Sequence, residues 1–260
     1  MPVSVRYYTD PACSASWAAE PALRKLMVEF GADLSFTYVM AGLARQYEGD
    51  PSRHVSRWLD DAERSGMPVD PRLWLEEPIA STYPACMAVK AASEQGSEAT
   101  ERYLRALREG LLCGRLKLDT TEALVAEARP AGLDSQRFRI DLGSNAVVEA
   151  FGADLDSRRE LPEERFGFPT IQFGDGEPVF GPASFDQWRA AALAAGAKPA
   201  GEEPPDPFSA LARFGRMATA EVEAVCDLPG PRANAELWRL AAEWRMKPVR
   251  VLTGWLWELP

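Results

Sequence analysis

The sequence has few of the residues that build metal sites and disulfide frameworks. Its 260 residues contain one histidine, His54, and four cysteines at positions 13, 86, 113 and 226, with no Cys-x-x-Cys pair. Zinc sites and disulfide frameworks both need such residues in clusters or in regular pairs. We therefore expect no structural metal, no tightly bound cofactor and no set of disulfides.

Basic charge and long apolar runs are also scarce. Acidic residues outnumber basic ones by 39 to 29, which gives a net charge of −10. Proteins that bind nucleic acid or anionic membranes gather an excess of Lys and Arg, and a membrane-spanning helix needs about 20 apolar residues, which no stretch supplies. The N-terminus lacks the charged and apolar regions of a signal peptide. We expect a soluble cytoplasmic protein that binds neither nucleic acid nor membrane.

The first 40 residues have the pattern of a strand, a helix and a second strand. "VSVRYY" (3–8) is rich in β-branched and aromatic residues and indicates a central strand, and "LSFTYVM" (34–40) indicates another. Between them, apolar residues recur at helical spacing, which predicts a helix over 14–30; these are Leu23, Leu26, Met27 and Phe30. The pattern predicts a βαβ unit with parallel strands.

Later segments divide the chain further. Helical periodicity without β-branched runs predicts an all-helical insert over 50–160, and Asp175-Gly176 in "TIQFGDGEPVFG" predicts an antiparallel hairpin followed by a helix over 183–195. The Pro- and Glu-rich segment 196–207 is typical of a linker. We therefore predict an α/β core from 1–49 and 161–195, the insert, the linker, and a small, mainly helical appendage over 208–260 that ends in a strand or hairpin.

Cys13 is the first candidate for chemistry. It lies between a buried strand and the predicted start of a helix, where free backbone N–H groups and the helix dipole stabilise a thiolate. On this basis we expect the pKa of the Cys13 thiol to lie below the ordinary value of about 8.5. The alternative is that Cys13 is a small buried apolar residue, as most free cysteines are.

The segment around Cys13, "DPACSASWAAEPALRKL" (10–26), resembles the active-site segment of the DsbA-like thioredoxin superfamily. The order of elements, the helical insert and "GFPTIQFG" (167–174) extend the resemblance to about residue 195. It is closest to the cytoplasmic FrnE-type oxidoreductases and the SpxH (YjbH)-like adaptor proteins. The resemblance implies a thioredoxin fold with a large helical insertion, and a cis Phe168–Pro169 bond against Cys13. It also implies roles for Ser16 beside the catalytic thiol and for Ser14, Trp17, Phe168 and Thr170 in substrate binding.

The sequence departs from the usual redox motif of this superfamily at one position. Where the family has Cys-x-x-Cys, this chain has Cys13-Ser14-Ala15-Ser16, so the resolving thiol is missing. A serine hydroxyl does not attack a mixed disulfide. Ser16 remains a candidate for hydrogen bonding to the Cys13 sulfur or for capping the helix. Cys86, at the predicted start of a helix in "STYPACMAVKAA" (81–92), is either a resolving thiol from outside the motif or a buried helix residue.

Three functions fit these residues. The first is a thiol-disulfide oxidoreductase or isomerase that works through Cys13 alone, with a protein disulfide or a glutathione-type thiol as partner. The second is a non-catalytic adaptor resembling SpxH, which would tolerate Cys13→Ala and would need surface aromatics of the insert, such as Trp58 or Trp74. The third resembles kappa-class glutathione transferases and hydroxychromene-carboxylate isomerases, in which Ser14 or Ser16 would activate glutathione. His54 is expected on a solvated helix face. The oligomeric state is left open by the sequence.

Overall fold

The computed structural model describes residues 1–260, and the chain opens with the expected βαβ unit. Strand β1 (Val3–Thr9) pairs in parallel with β2 (Leu34–Met40), so that Val5 lies beside Phe36. Strand β3 (Thr170–Phe173) pairs antiparallel with the other side of β1. The sheet order is β2-β1-β3, and β1 is the central strand, as its composition predicted.

The helix predicted over 14–30 is divided into two. Helix α1 (Ser14–Ala18) ends at Ala19, and α2 (Glu20–Phe30) starts immediately after it. Pro21 explains the break, because proline has no N–H group and its ring collides with the carbonyl four residues earlier, here that of Trp17. The four apolar residues that predicted the helix are all buried on α2.

All regular structure between β2 and β3 is helical. The helices are α3 (Ser52–Ser65), α4 (Leu73–Glu76), α5 (Tyr83–Ser93), α6 (Ser97–Leu112), α7 (Thr121–Ala128), α8 (Ser135–Leu142) and α9 (Asn145–Arg159). Thr120 caps α7 by accepting a hydrogen bond from the amide of Ala123. One hydrophobic core runs from the sheet into these helices. None of the helices in the chain combines the length and apolar character that a membrane span requires.

The predicted hairpin after β3 is much shorter than its sequence pattern suggested. Only Ile171 and Val179 pair across the turn, through reciprocal amide–carbonyl bonds of 3.0 and 2.8 Å. Pro178 precedes Val179 and has no N–H group to extend the ladder. Helix α10 (Phe185–Ala194) then begins at a capping box formed by Ser184 and Gln187.

The C-terminal part contains more strand than expected. It consists of α11 (Pro207–Phe214), β4 (Met217–Ala218), α12 (Thr219–Val225), α13 (Gly230–Ala242), β5 (Lys247–Val251) and β6 (Gly254–Glu258). The three strands form a second sheet of order β4-β6-β5, and the part has a small hydrophobic core of its own. Its helix α12 packs on α2.

The segment predicted as a linker is held against α2. The amide of Ala200 donates to the carbonyl of Glu29 at 2.7 Å, and the amide of Lys198 donates to the Asp33 carboxylate at 2.6 Å. Ala197 is 4% exposed. The C-terminal part is therefore docked on the thioredoxin core and is not suspended from it.

Candidate functional site

Cys13 is the N-cap of α1, directly after the turn that leaves the central strand. Its own amide donates to the carbonyl of Asp10 at 3.2 Å, and its sulfur accepts a hydrogen bond of 3.4 Å from the amide of Ser16. The carbonyl of Cys13 accepts from the amide of Trp17 at 3.0 Å, which starts the helix. The sulfur therefore lies at the helix start that the sequence predicted.

Burial changes the expected chemistry of this thiol. Cys13 is 3% exposed, and this burial raises the pKa of its thiol above the ordinary value. The Ser16 amide and the Arg108 guanidinium lower this pKa, and the Asp10 carboxylate raises it further. The expectation of a depressed pKa was wrong, because α1 has only five residues and a single amide reaches the sulfur, which is too little to offset desolvation.

The two serines of the motif are closed to solvent. Ser16 is fully buried and its hydroxyl has no hydrogen-bond partner. Ser16 therefore contacts the Cys13 sulfur through its backbone amide alone. Ser14 is 3% exposed and donates its hydroxyl proton to the Asp61 carboxylate of α3 at 2.5 Å. Asp61 also pairs with Arg64. The Ser14 hydroxyl is therefore committed to a carboxylate and not free to activate a bound thiol.

The segment before β3 carries the proline that the resemblance points to. The Phe168–Pro169 peptide bond is cis. Thr170, the first residue of β3, pairs with Tyr8 of β1. Tyr8 is the residue before the last one of β1, after which the chain turns towards Cys13. The cis-proline segment and the active-site turn therefore lie at the same end of the sheet. Phe168 is half-buried and packs edge-on against Phe166, with ring centres 5.2 Å apart.

Two residues expected to contact substrate have buried side chains instead. Trp17 is 1% exposed, its indole N–H donates to the carbonyl of Pro68 at 2.9 Å, and the Arg105 guanidinium covers its ring at 4.3 Å. Thr170 is fully buried and its hydroxyl donates to the carbonyl of Gly167 at 2.6 Å. In this structure the side chains of Trp17 and Thr170 hold the fold together.

Asp10 is a member of the site that sequence reasoning missed. Its carboxylate is fully buried and accepts four hydrogen bonds, from the Ala12 amide at 2.8 Å, the Leu43 amide at 2.7 Å, the Thr82 hydroxyl at 2.6 Å and the Cys86 thiol at 3.3 Å. Burial raises the pKa of Asp10 despite these bonds. The Asp-Pro sequence before Cys13 is a turn signal, and the bond to the Ala12 amide is the expected local turn contact. The other three partners come from distant segments, which no local pattern indicates.

Cys86 lies at the start of α5, as predicted, and is fully buried. Burial and the neighbouring Asp10 carboxylate raise the pKa of its thiol. All four cysteines are free thiols in the structure. A role for Cys86 as a resolving thiol therefore stays a prediction, and it would require Cys86 to leave its present environment.

The aromatic residues of the insert are not on the surface. Trp58 and Trp74 are each 2% exposed and pack edge-on against each other, with ring centres 5.6 Å apart. His54 stacks on Trp74 at 4.2 Å and meets Tyr47 edge-on at 4.8 Å, so it belongs to this cluster and not to a solvated face. Burial and the nearby Arg57 lower the pKa of His54. The expectation that Trp58 and Trp74 form a partner-binding surface was wrong.

A groove of 510 Å³ runs beside the active-site helix. Its lining includes Arg53 and Arg57 of α3, Ala15 of α1 and Phe168 of the cis-proline segment. No group of three or more His, Cys, Asp or Glu side chains is arranged to hold a metal ion. Ala15, two residues after Cys13, lines this groove, and Cys13 does not.

Comparisons with known proteins agree with this geometry. A family model described as thioredoxin matches residues 7–177. The ClpXP adapter protein SpxH of Halalkalibacterium halodurans is 32% identical over 99% of this chain and 89% of its own length. The chain belongs to the DsbA-like thioredoxin superfamily and, within it, to the SpxH family.

Other relatives extend the comparison. The ClpXP adapter protein SpxH of Bacillus subtilis is 27% identical to this SpxH-family chain, over 99% of the chain and 89% of the relative. The cytosolic disulfide reductase DsbM from Pseudomonas aeruginosa, in a structure with GSH, is a structural neighbour with a TM-score of 0.57 and 19% identity. It covers 73% of this chain and 92% of its own, and at that identity it shows the shared fold alone. The SpxH-family similarity includes the C-terminal part, which the DsbA-like resemblance of the sequence did not reach.

Proposed function

We propose that this protein is a cytoplasmic adaptor that presents protein clients to the ClpXP protease. The observation that carries the proposal is the closed state of Cys13, which is 3% exposed in a chain similar over almost its whole length to ClpXP adapter proteins. A site that exchanges disulfides at neutral pH needs an accessible thiolate. An adaptor needs only a surface that holds its client.

The absent second thiol supports the same choice. In a dithiol oxidoreductase, the second thiolate attacks the mixed disulfide on the first and releases the substrate as a thiol. Position 16 is a buried serine whose hydroxyl makes no hydrogen bond. The protein therefore has no means within its motif to complete such a cycle.

One-thiol exchange is the second candidate, and the bond from the Ser16 amide to the Cys13 sulfur favours it. In this reaction the Cys13 thiolate attacks a disulfide R–S–S–R, forms a Cys13–S–S–R mixed disulfide and expels R–S⁻. A second molecule of thiolate, of the glutathione type, then attacks the mixed disulfide, regenerates Cys13 and carries R away as a disulfide. Such chemistry requires the thiol to become exposed first.

The two candidates differ in their dependence on Cys13. Protein half-lives are measured by pulse labelling and mass spectrometry in cells of the source organism, with this gene or the ClpXP protease removed. The adaptor function predicts that a restricted set of proteins is stabilised by either deletion. It further predicts that the wild-type chain and Cys13→Ala restore their turnover equally.

Two results separate the alternatives. Restoration by the wild-type chain but not by Cys13→Ala would favour the one-thiol enzyme. If no protein is stabilised by both deletions, the adaptor proposal is overturned.

A further inference from the structure

The groove beside the active-site helix has an unusual charge for this protein. Its charged lining residues are three arginines and two aspartates, which leaves one excess positive charge in a chain whose net charge is −10. The lining residues with charge are Arg53, Arg57, Arg64, Asp60 and Asp61. A local excess of positive charge on an acidic protein directs negatively charged partners to that place.

Three side chains of the groove carry an unpaired charge, Arg53, Arg57 and the exposed Asp60, so the two arginines exceed the one carboxylate by a single positive charge. Asp61 is already satisfied, because it accepts from the Ser14 hydroxyl and pairs with Arg64. The side chains of Arg53 and Arg57 make no ion pair and no hydrogen bond, and both are exposed. Arginine presents a planar set of donors that matches a carboxylate with two parallel hydrogen bonds. Two such donors are therefore free in the groove.

Helix α3 holds these two side chains on a fixed support. Its inner face carries His54, stacked on Trp74, and the buried Trp58. Arg53 and Arg57 are four residues apart, so they project from adjacent turns of the outer face. A helix anchored by aromatic packing presents its charges in a defined orientation, which lowers the entropy lost when a partner binds.

Other residues that line the groove supply apolar contacts and backbone. They include Ala15 of α1 and the segment Gly167 to Phe168 before the cis-proline, together with Pro182. Phe168 is half-buried, so part of its ring remains open to a partner. A chain lying in the groove would therefore meet both arginine side chains and an aromatic ring.

We propose that this groove binds an acidic, extended segment of a protein client, with its carboxylates on Arg53 and Arg57 and an apolar side chain on Phe168. The assignment of the occupant to a protein rests on the proposed adaptor function. The charge of the occupant rests on the groove alone. Because Cys13 does not line the groove, binding requires no thiol on the client.

Fluorescence anisotropy of the full chain with two short labelled peptides tests the proposal. One peptide alternates Glu with Leu and Gly, the other has Gln at each Glu position, and neither contains cysteine. The Glu peptide should bind, and the Gln peptide should bind at least about fivefold more weakly, because it lacks the charge that the arginines recognise. The Glu peptide should lose the same affinity for the Arg53→Gln/Arg57→Gln variant. Raised salt should weaken binding of the Glu peptide to the wild-type chain.

A matched variant controls for net charge. Arg129→Gln/Arg232→Gln removes two exposed arginines outside the groove and should leave binding of the Glu peptide unchanged. Thermal unfolding of both double variants checks that they fold. A second arm uses oxidised glutathione as competitor, which should displace the Glu peptide poorly.

Three outcomes overturn the proposal: no binding of the Glu peptide, equal binding of the Glu and Gln peptides, or binding that survives loss of Arg53 and Arg57. Tight binding of glutathione in place of the peptide would assign the groove to a small thiol. The assay contains no protease, so its result is independent of whether the protein serves ClpXP. If the groove binds the Glu peptide but the protein changes the turnover of no client, the adaptor function is refuted and the groove proposal stands.

Discussion

Glu221 connects the C-terminal part to the thioredoxin core, and its replacement should destabilise the whole protein. The residue is fully buried on α12. Its carboxylate accepts two hydrogen bonds from the Arg105 guanidinium at 2.7 and 2.9 Å and one from the Ala218 amide at 2.6 Å. The Arg24 guanidinium of α2 lies 3.0 Å away. Removal of this charge leaves the buried Arg24 and the largely buried Arg105 with fewer partners.

The magnitude follows from what remains after Glu221→Gln. Removal of one partner from a buried ion pair costs about 3–5 kcal/mol. Arg105 keeps Glu109 at 2.6 Å and Glu20 at 3.2 Å, so the cost should lie at the lower end of that range. For a chain of this size, a loss of about 3 kcal/mol lowers the melting temperature by about 6–12 °C.

Thermal and urea unfolding followed by circular dichroism measure this change. The matched control is Glu236→Gln on α13, whose partner Arg239 is on the surface, and it should leave the melting temperature nearly unchanged. A shift no larger for Glu221→Gln than for Glu236→Gln would refute the reasoning. It would mean that the C-terminal part is held by its apolar contacts and that the buried charges contribute nothing net.

Three further predictions concern the site and its support. Iodoacetamide should alkylate Cys13 far more slowly at pH 7 than in urea-unfolded protein, and a rate like that of a free thiol would contradict the buried site. Because the folded state raises the pKa of Cys13, the protonated thiol should stabilise the protein by a constant amount at lower pH. This contribution should decline above the ordinary thiol pKa of about 8.5. Urea titrations of the wild type and Cys13→Ala from pH 7 to 10 measure it. Trp58→Ala should cost about 3–5 kcal/mol in urea unfolding, since the ring is buried, and a loss below about 1 kcal/mol would refute its place in the core. Ser14→Ala should cost about 1.5–3 kcal/mol by loss of its bond to the Asp61 carboxylate, and unchanged stability would show that this bond contributes nothing net.

Much of the thioredoxin core follows from local patterns. The β-branched and aromatic composition of 3–8 and 34–40 predicted β1 and β2, and the apolar spacing of 23–30 predicted the buried face of α2. The apolar spacing predicts the buried face of the helix because side chains on one face of a helix recur every three to four residues. The apolar spacing did not reveal the effect of Pro21, which divides the predicted helix in two.

The chemistry of the site depended on contacts that no local pattern contains. The groups that enclose Cys13 and its neighbours come from the helical insert, including Asp61, Thr82, Cys86 and Arg108. They lie at least 47 residues from the active-site turn in sequence. A sequence-based estimate of the thiol pKa therefore included the helix start and omitted desolvation, which is the larger effect here.

The aromatic residues show the same limit. The sequence around each of three tryptophans is compatible with either a surface or a core position. The structure buries all three, Trp17, Trp58 and Trp74. The insert exposes two unpaired arginines of α3, Arg53 and Arg57, whose position a count of charges along the whole chain does not show. Only the fold brings these arginines of α3 beside α1 and the cis-proline segment.

The most direct test of the adaptor function is a reconstituted degradation assay. A client identified by its altered turnover in cells is mixed with purified ClpXP, and its initial rate of degradation is measured alone, with the wild-type chain and with Cys13→Ala. The account predicts that both forms of the chain accelerate degradation to the same extent. A rate that neither form changes, or one that only the wild-type chain raises, would contradict it.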